Sequence, residues 1–214
     1  MHTICYLSKR NAKFISTASL ALTCGLAQSA LIVNTGTPVG TDAIALFNSG
    51  GSNLSFLGGS FAVGSNQTIT KVEGYIGTYS DGDIILALWS GAPSALAQPL
   101  FTATRSFSVE AEAWQAFSGL SWAIGSGNYS VTFSPIEVYG GFMRSGPPVP
   151  LAQYYGYFPP AFGPNWVATS NTYGVRVTAV PELPASLLLI AGLCCLAKTI
   201  QRNGRLASVD RHVA

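Results

Sequence analysis

The stretch Phe101-Thr-Ala-Thr-Arg-Ser-Phe-Ser-Val109 alternates between apolar or long side chains and small hydroxyl side chains. A period of two places the two kinds of side chain on opposite faces of an extended strand, one facing a core and one facing water. The same alternation recurs at residues 128–134 and 173–179. Residues 83–89 are apolar on both faces and therefore predict a strand in the centre of a sheet.

Turn-forming residues separate these stretches, and no sustained helical period occurs between them. Residues 54–63 and 68–79 are further strand candidates, whereas residues 111–116 have room for one helical turn at most. Ser80-Asp-Gly82 lies between two strand-like runs and predicts a β-hairpin. About eight short strands in residues 30–179 predict an all-β ectodomain, an antiparallel β-sandwich of jelly-roll type.

Between Leu31 and Ala179 the chain carries four basic and seven acidic residues, a net charge of −3. A basic patch that neutralises nucleic-acid phosphates is therefore not expected, and nucleic acid is excluded as a partner. All cysteines and histidines lie outside this segment. Their positions exclude a disulfide framework, a thiolate or imidazole nucleophile and a Cys/His zinc site in the ectodomain. We predict no catalytic residue, no metal site and no cofactor there.

The first residues have the order that is typical of a secretory signal peptide. A basic segment comes first, and an uncharged, largely apolar run follows it at residues 14–27. The small residues Ala27 and Ser29 then match the small-x-small pattern that precedes cleavage. We predict a helical signal peptide over residues 1–29 and a mature chain that starts near Ala30. The basic residues are Lys9, Arg10 and Lys13.

The end of the chain repeats this arrangement in reverse, because residues 183–197 carry no charge and a basic cluster follows them. A helix rises about 1.5 Å per residue, so a single helix over about 183–200 crosses a bilayer core of roughly 30 Å with slight thinning. Positive charges stay preferentially in the cytoplasm, which places residues 30–179 outside and residues 206–214 in a short cytoplasmic tail. The flanking basic residues are Lys198, Arg202 and Arg205.

Residues 180–205 resemble the PEP-CTERM sorting signal of proteins exported by Gram-negative bacteria. The resemblance lies in Val180-Pro-Glu-Leu-Pro184, the Leu- and Ala-rich run after it and the basic cluster; the usual Pro-Glu-Pro reads Pro-Glu-Leu-Pro here, and the chain continues to Ala214. It implies a protein held on the periplasmic side of the inner membrane until an exosortase, a membrane-bound processing enzyme, releases it to the cell surface or extracellular matrix. The recognised motif would comprise Val180, Pro181, Glu182 and Pro184.

Residues 147–166 combine six prolines with six aromatic residues. Aromatic rings exposed on a rigid loop stack on the faces of sugars, so such a loop predicts an extracellular polysaccharide as a ligand. The alternative is that the rings cover one end of the sandwich core, since aromatic side chains are usually buried. The candidate glycan contacts are Tyr154, Tyr155, Tyr157 and Trp166.

Two acidic features suggest other chemistry. Asp81-Gly-Asp83 offers oxygen ligands to calcium, but the further ligands of a calcium loop are missing, so a turn is the better interpretation. Glu110 and Glu112, with Glu137 as a further partner, are candidates for the carboxylate pair of a glycoside hydrolase. Arg105 lies on the apolar face of its strand and is expected to pair with one of the acids.

The leading hypothesis is a non-catalytic, exported and membrane-anchored protein of the cell envelope or extracellular matrix that is associated with exopolysaccharide. Its partners would be the membrane, an exosortase-like enzyme and the polysaccharide. Two alternatives remain open. One is a secreted carbohydrate-binding, lectin-like module that uses the 147–166 loop, and the other is a carboxylate-dependent, glycan-active enzyme.

Overall fold

Twelve β-strands make up the regular structure of the described part of the chain. The computed structural model describes residues 28–40, 43–46, 56–94, 96–138, 141–144, 146, 149–158 and 165–182. The predicted transmembrane helix and cytoplasmic tail lie outside the described residues, as does the predicted signal peptide up to Ala27. Within the described ranges, no helix is long and apolar enough to cross a membrane.

The strands divide between two sheets, and every strand pair is antiparallel. This arrangement confirms the predicted all-β fold class. In chain order the strands are β1 (Ala30–Asn34), β2 (Ala43–Leu46), β3 (Phe56–Val63), β4 (Gln67–Thr78), β5 (Gly82–Ser90), β6 (Phe101–Phe107), β7 (Glu110–Ile124), β8 (Gly127–Pro135), β9 (Gly141–Arg144), β10 (Gln153–Phe158), β11 (Asn165–Thr169) and β12 (Val175–Pro181).

The first sheet is built around β4. Strand β7 pairs along the length of β4, while β12 and then β9 also pair with it. Strand β1 pairs with β12, and β2 pairs with β9. The second sheet has the order β11-β10-β3-β8-β5-β6. Strand β5 therefore has a partner on each side, which confirms the prediction of an internal strand at residues 83–89.

The two sheets bury one common core. Val72 and Val177 contribute to it from the first sheet and are completely buried. Leu86 and Phe133 contribute from the second sheet and are also completely buried. Phe117 of β7 contacts Phe133 of β8 with ring centroids 6.1 Å apart. Since each buried side chain of this size contributes about 1.5–3 kcal/mol, the interior between the sheets is the main source of stability in this sandwich-like fold.

The alternation in β6 appears in the structure as predicted. Phe107 is buried and Arg105 is half-buried. The hydroxyl residues that alternate with this face are exposed, namely Thr102, Thr104 and Ser106. One face of the strand therefore meets the core and the other carries hydroxyl groups into water.

The predicted hairpin at residues 80–82 is wrong, because the strands on its two sides belong to different sheets. Strand β4 pairs with β7, β9 and β12, whereas β5 pairs with β6 and β8. The turn carries the chain from the first sheet to the second. Asp81 Oδ1 accepts a hydrogen bond from Val109 N at 3.2 Å and so ties this crossing to the return crossing between β6 and β7. Turn residues indicate a reversal of the chain, but they do not show which sheet the chain enters.

Residues 111–116 belong to the long strand β7, so the single helical turn considered for them does not form. Their alanine and glutamate residues favour a helix locally, but pairing with β4 overrides this preference. The register of β7 against β4 shifts between Ile69 and Lys71. Gly119 lies within this shift with a φ of 74°, a left-handed backbone that glycine adopts without steric cost.

Candidate functional site

The first residues of the predicted sorting motif belong to the folded domain. Strand β12 ends with Val180 and Pro181, which pair with the start of β4. Pro181 and Glu182 are exposed, and the compact unit Gln28–Pro181 ends there. Proline lacks a backbone N–H, which suits the end of a strand. The predicted motif thus begins within the last strand and continues beyond the domain without a spacer. The other predicted residues of the tail lie outside the described ranges: Pro184, Lys198, Arg202 and Arg205.

The two ends of the compact unit lie side by side in the first sheet. Ala30 is opposite Ala179 in the pairing of β1 with β12. Thr35, which is 1% exposed, continues the link after β1. Its hydroxyl accepts a hydrogen bond from Val175 N at 2.9 Å and lies 3.2 Å from Val175 O. The predicted start of the mature chain is therefore a neighbour of the residue that precedes the sorting motif.

Tyr154 belongs to the core, which corrects its assignment as a glycan contact. The side chain is 4% exposed, and its ring meets Tyr173 edge-on at 5.4 Å. Its hydroxyl accepts a hydrogen bond from Leu151 N at 2.9 Å and donates one to Tyr173 O at 3.4 Å. Burial raises the pKa of the Tyr154 hydroxyl. A ring enclosed in this way has no free face for a sugar.

Tyr155 and Trp166 lie on the face of the second sheet that points away from the core. Tyr155 is opposite Ala168 in the pairing of β10 with β11, and Tyr157 is opposite Trp166. Tyr155 and Trp166 are both half-buried. Adjacent residues of a strand point to opposite faces, which explains why Tyr155 is on this face while Tyr154 is in the core.

Trp89 completes this face and was not singled out from the sequence. Its Nε1 donates a hydrogen bond to Thr132 Oγ1 at 2.9 Å, and its ring lies 6.2 Å from the ring of Trp166. Strands β5 and β11 would be about 19 Å apart in a flat sheet, so the contact indicates that the sheet curls into a concave face. The sequence offers no signal for the face of Trp89, because residues 83–89 are apolar on both faces.

Two cavities adjoin over strand β3, each with a volume of about 370 Å³. Both are lined by Ser60, Phe61 and Ala152, and we name the two cavities together the Ser60 groove. Tyr155 lines one half of the groove, and Pro150 lines the other half. One of the predicted aromatic contacts, Tyr155, therefore lines a concave site.

The candidate carboxylates contact other side chains of the same sheet. Glu112 forms an ion pair with Arg144, whose Nε lies 2.6 Å from Glu112 Oε2. Glu110 accepts a hydrogen bond from the side-chain amide of Gln115. Glu137 lies in the loop after β8 and is exposed. Glu112 therefore joins β7 to β9, whereas Glu110 contacts a side chain of its own strand.

The ion pair expected for Arg105 is not found within the described part of the chain. Its Nη1 donates a hydrogen bond to Ala116 O at 3.0 Å, and its guanidinium carbon lies 4.5 Å from the ring centroid of Phe107. The contact joins the edge strands β6 and β7 beside a cleft of about 530 Å³. A backbone carbonyl in another strand is an acceptor that the sequence pattern does not reveal.

Within the described ranges, no group of three or more histidine, cysteine or acidic side chains is placed to hold a metal ion. No family model matches the chain, and no curated protein is significantly similar to it. Function is therefore inferred from the residues and contacts of the chain itself.

Proposed function

We propose that this chain is an exported, membrane-anchored protein of the cell envelope that carries a PEP-CTERM-like sorting tail and has no catalytic role. The position of Pro181 and Glu182 carries the proposal. Both residues are exposed at the end of the last strand, where the compact unit ends. The uncharged run and the basic cluster of the tail follow directly. A motif in this place is open to a processing enzyme while the domain stays folded.

The order of the segments supports a defined topology. A signal peptide over residues 1–29 directs export, and a helix over about 183–200 holds the domain on the periplasmic side. Residues 206–214 remain in the cytoplasm. An exosortase-like enzyme recognises the motif and releases the domain to the cell surface or extracellular matrix, where exopolysaccharide surrounds it.

We also propose that the sandwich is a jelly roll with additions. The order β1-β12-β4-β7 in one sheet and β3-β8-β5-β6 in the other supports this topology. Strands β2, β9, β10 and β11 would then be insertions in two of its connections. The inserted hairpin β10–β11 carries Tyr155 and Trp166.

Membrane fractionation of a Gram-negative host that expresses the full chain tests the anchor. Deletion of residues 187–205 removes most of the apolar run and all three flanking basic residues, so the protein should move from the membrane pellet to the soluble periplasmic fraction. Deletion of residues 206–214 is the matched control and should leave the protein in the pellet. A 187–205 deletion variant that still sediments with membranes would disprove the anchor.

The sorting motif is tested in the same way in a host that has an exosortase. Glu182→Ala should abolish the shortened, processed form of the protein, whereas Glu137→Ala, at another exposed glutamate, should leave processing intact. Persistence of the processed form in Glu182→Ala would refute recognition at this motif, even if the tail still anchors the protein.

A further inference from the structure

The described lining of the Ser60 groove carries no charge. None of the described residues that line its two halves is charged. Its polar groups are hydroxyls, side-chain amides and backbone carbonyls, contributed in one half by Ser60, Asn128 and Tyr155. The amide of Asn128 and the hydroxyl of Tyr155 form no hydrogen bond with other described side chains or backbone groups. These groups are therefore available to a neutral ligand with many hydroxyl groups.

In the half of the groove that Tyr155 lines, the backbone of β3 is already paired on both sides. Ser60 of β3 is opposite Ser130 of β8 on one side and Gln153 of β10 on the other. A peptide that binds by adding a strand needs a free sheet edge, and β3 has none here, so recognition in this half must come from side chains. Strand β1 lines the other half and, among the described strands, pairs only with β12.

Tyr155, the tyrosine that lines the groove, is fixed in position by the strands around it. Tyr155 is on β10, which pairs with both β3 and β11. The contact between Trp166 and Trp89 keeps the β10–β11 hairpin folded toward the concave face. A ring on a strand that is fixed in this way presents its face without a large loss of side-chain entropy.

We propose that the Ser60 groove binds a neutral oligosaccharide segment of a polysaccharide. The ring of Tyr155 stacks on the apolar face of one sugar, and the amide of Asn128 bonds to neighbouring hydroxyls through its donor and acceptor. A volume of about 370 Å³ in each half matches a small-ligand site, and the two adjoining halves accommodate successive sugars of a chain. This site is independent of the membrane anchor.

Affinity electrophoresis of the full chain tests the proposal. The protein is kept in a polyoxyethylene detergent, which has no sugar headgroup, and run through gels that contain a soluble α-glucan, a β-glucan, a galactomannan or alginate. At least one neutral polysaccharide should retard the wild-type protein, and anionic alginate should not retard it more. Tyr155→Ala should weaken binding about tenfold, because the stacking face is lost.

Two further variants separate binding from folding. Asn128→Ala changes an exposed side chain, so it should weaken binding without a change in the thermal midpoint of unfolding. Tyr79→Ala removes an aromatic residue that is 68% exposed and outside the groove, so it should bind like the wild type. Retardation by none of the neutral polysaccharides, preferential binding to alginate, or unchanged binding in both Tyr155→Ala and Asn128→Ala would each overturn the proposal.

Discussion

Tyr173 is the largest completely enclosed side chain of the described core, with an exposure of 1%. Burial raises the pKa of its hydroxyl far above the ordinary value near 10. The neighbouring Tyr154 is shifted in the same direction for the same reason. The fold therefore holds two phenol protons that the unfolded chain would release earlier as the pH rises.

Because the pKa of Tyr173 is higher in the folded than in the unfolded state, the free energy of unfolding depends on pH in the alkaline range. The contribution of Tyr173 is fully present below about pH 10, where unfolded tyrosine is still protonated, and is lost as the pH rises further. We expect the free energy of unfolding, measured in urea, to fall from about pH 9 to pH 11. Tyr173→Phe should reduce this fall, whereas Tyr79→Phe, at an exposed tyrosine, should not. The same pH dependence in Tyr173→Phe and the wild type would contradict the expectation.

At the level of single residues, alternation predicted burial where the strand was recognised correctly. Phe107 faces the core as its pattern requires, whereas the face of Trp89 was not predictable, because residues 83–89 are apolar on both faces. The adjacent Tyr154 and Tyr155 were not distinguishable, because the pattern does not show which face of β10 meets the core. The partner of Arg105 was also hidden, since Ala116 O comes close only through the contact of two edge strands.

Strand β9 has four residues, and only Ile76 and Gly77 of β4 pair with it directly. Its last residue, Arg144, supplies additional contacts. The guanidinium group pairs with Glu112 of β7 and donates a hydrogen bond from Nη1 to Gly40 O at 2.9 Å. Strand β9 pairs with β2 along all four residues but with β4 at only two, so the side chain of Arg144 is an additional link to the centre of the first sheet.

Replacement of that side chain should loosen this part of the sheet. Arg144→Met leaves the partly buried carboxylate of Glu112 without its partner, so we expect a loss of about 1–3 kcal/mol in the free energy of unfolding at neutral pH. Glu137→Gln, at an exposed glutamate, should change the free energy of unfolding by no more than about 0.5 kcal/mol. Urea titrations measure both values, and equal losses would contradict the role of Arg144.

At the level of elements, the all-β character and most strand positions were predictable from alternation. The partners of the strands were not, as Ser80–Gly82 demonstrates. Strand β7 was not predicted, because its Glu- and Ala-rich start has little strand preference of its own. It is extended because it pairs with β4, and a local sequence pattern does not reveal that distant partner. Strands β9 to β11 are short and have glycine and proline residues nearby, which weakens any periodic signal.

The proximity of the two ends of the compact unit gives a prediction for the whole molecule. Because Ala30 is opposite Ala179, a short Gly/Ser linker can join the end of β12 to the start of β1. New ends can be opened at Leu96, which is 98% exposed in the loop between β5 and β6.

We expect this circular permutant of residues 28–181 to keep the β-type circular dichroism spectrum. Its thermal midpoint should stay within about 5 °C of the unpermuted unit, since loop changes cost about 1 kcal/mol. Failure of the permutant to fold would contradict this chain-end geometry.

The pairing of the first strand with the last also determines when the fold can be completed during synthesis of the chain. Thr35 and Val175 are separated by 140 residues, and β1 pairs only with β12 among the described strands. At about 5–20 residues per second, the ribosome needs on the order of ten seconds to supply the missing partner. The first sheet therefore closes only when nearly the whole domain has been synthesised, and the final residues of β12 arrive immediately before Glu182. Under the proposed export and sorting, completion of the fold and delivery of the tail would be consecutive steps, and a chain presented for release would already have received every described strand.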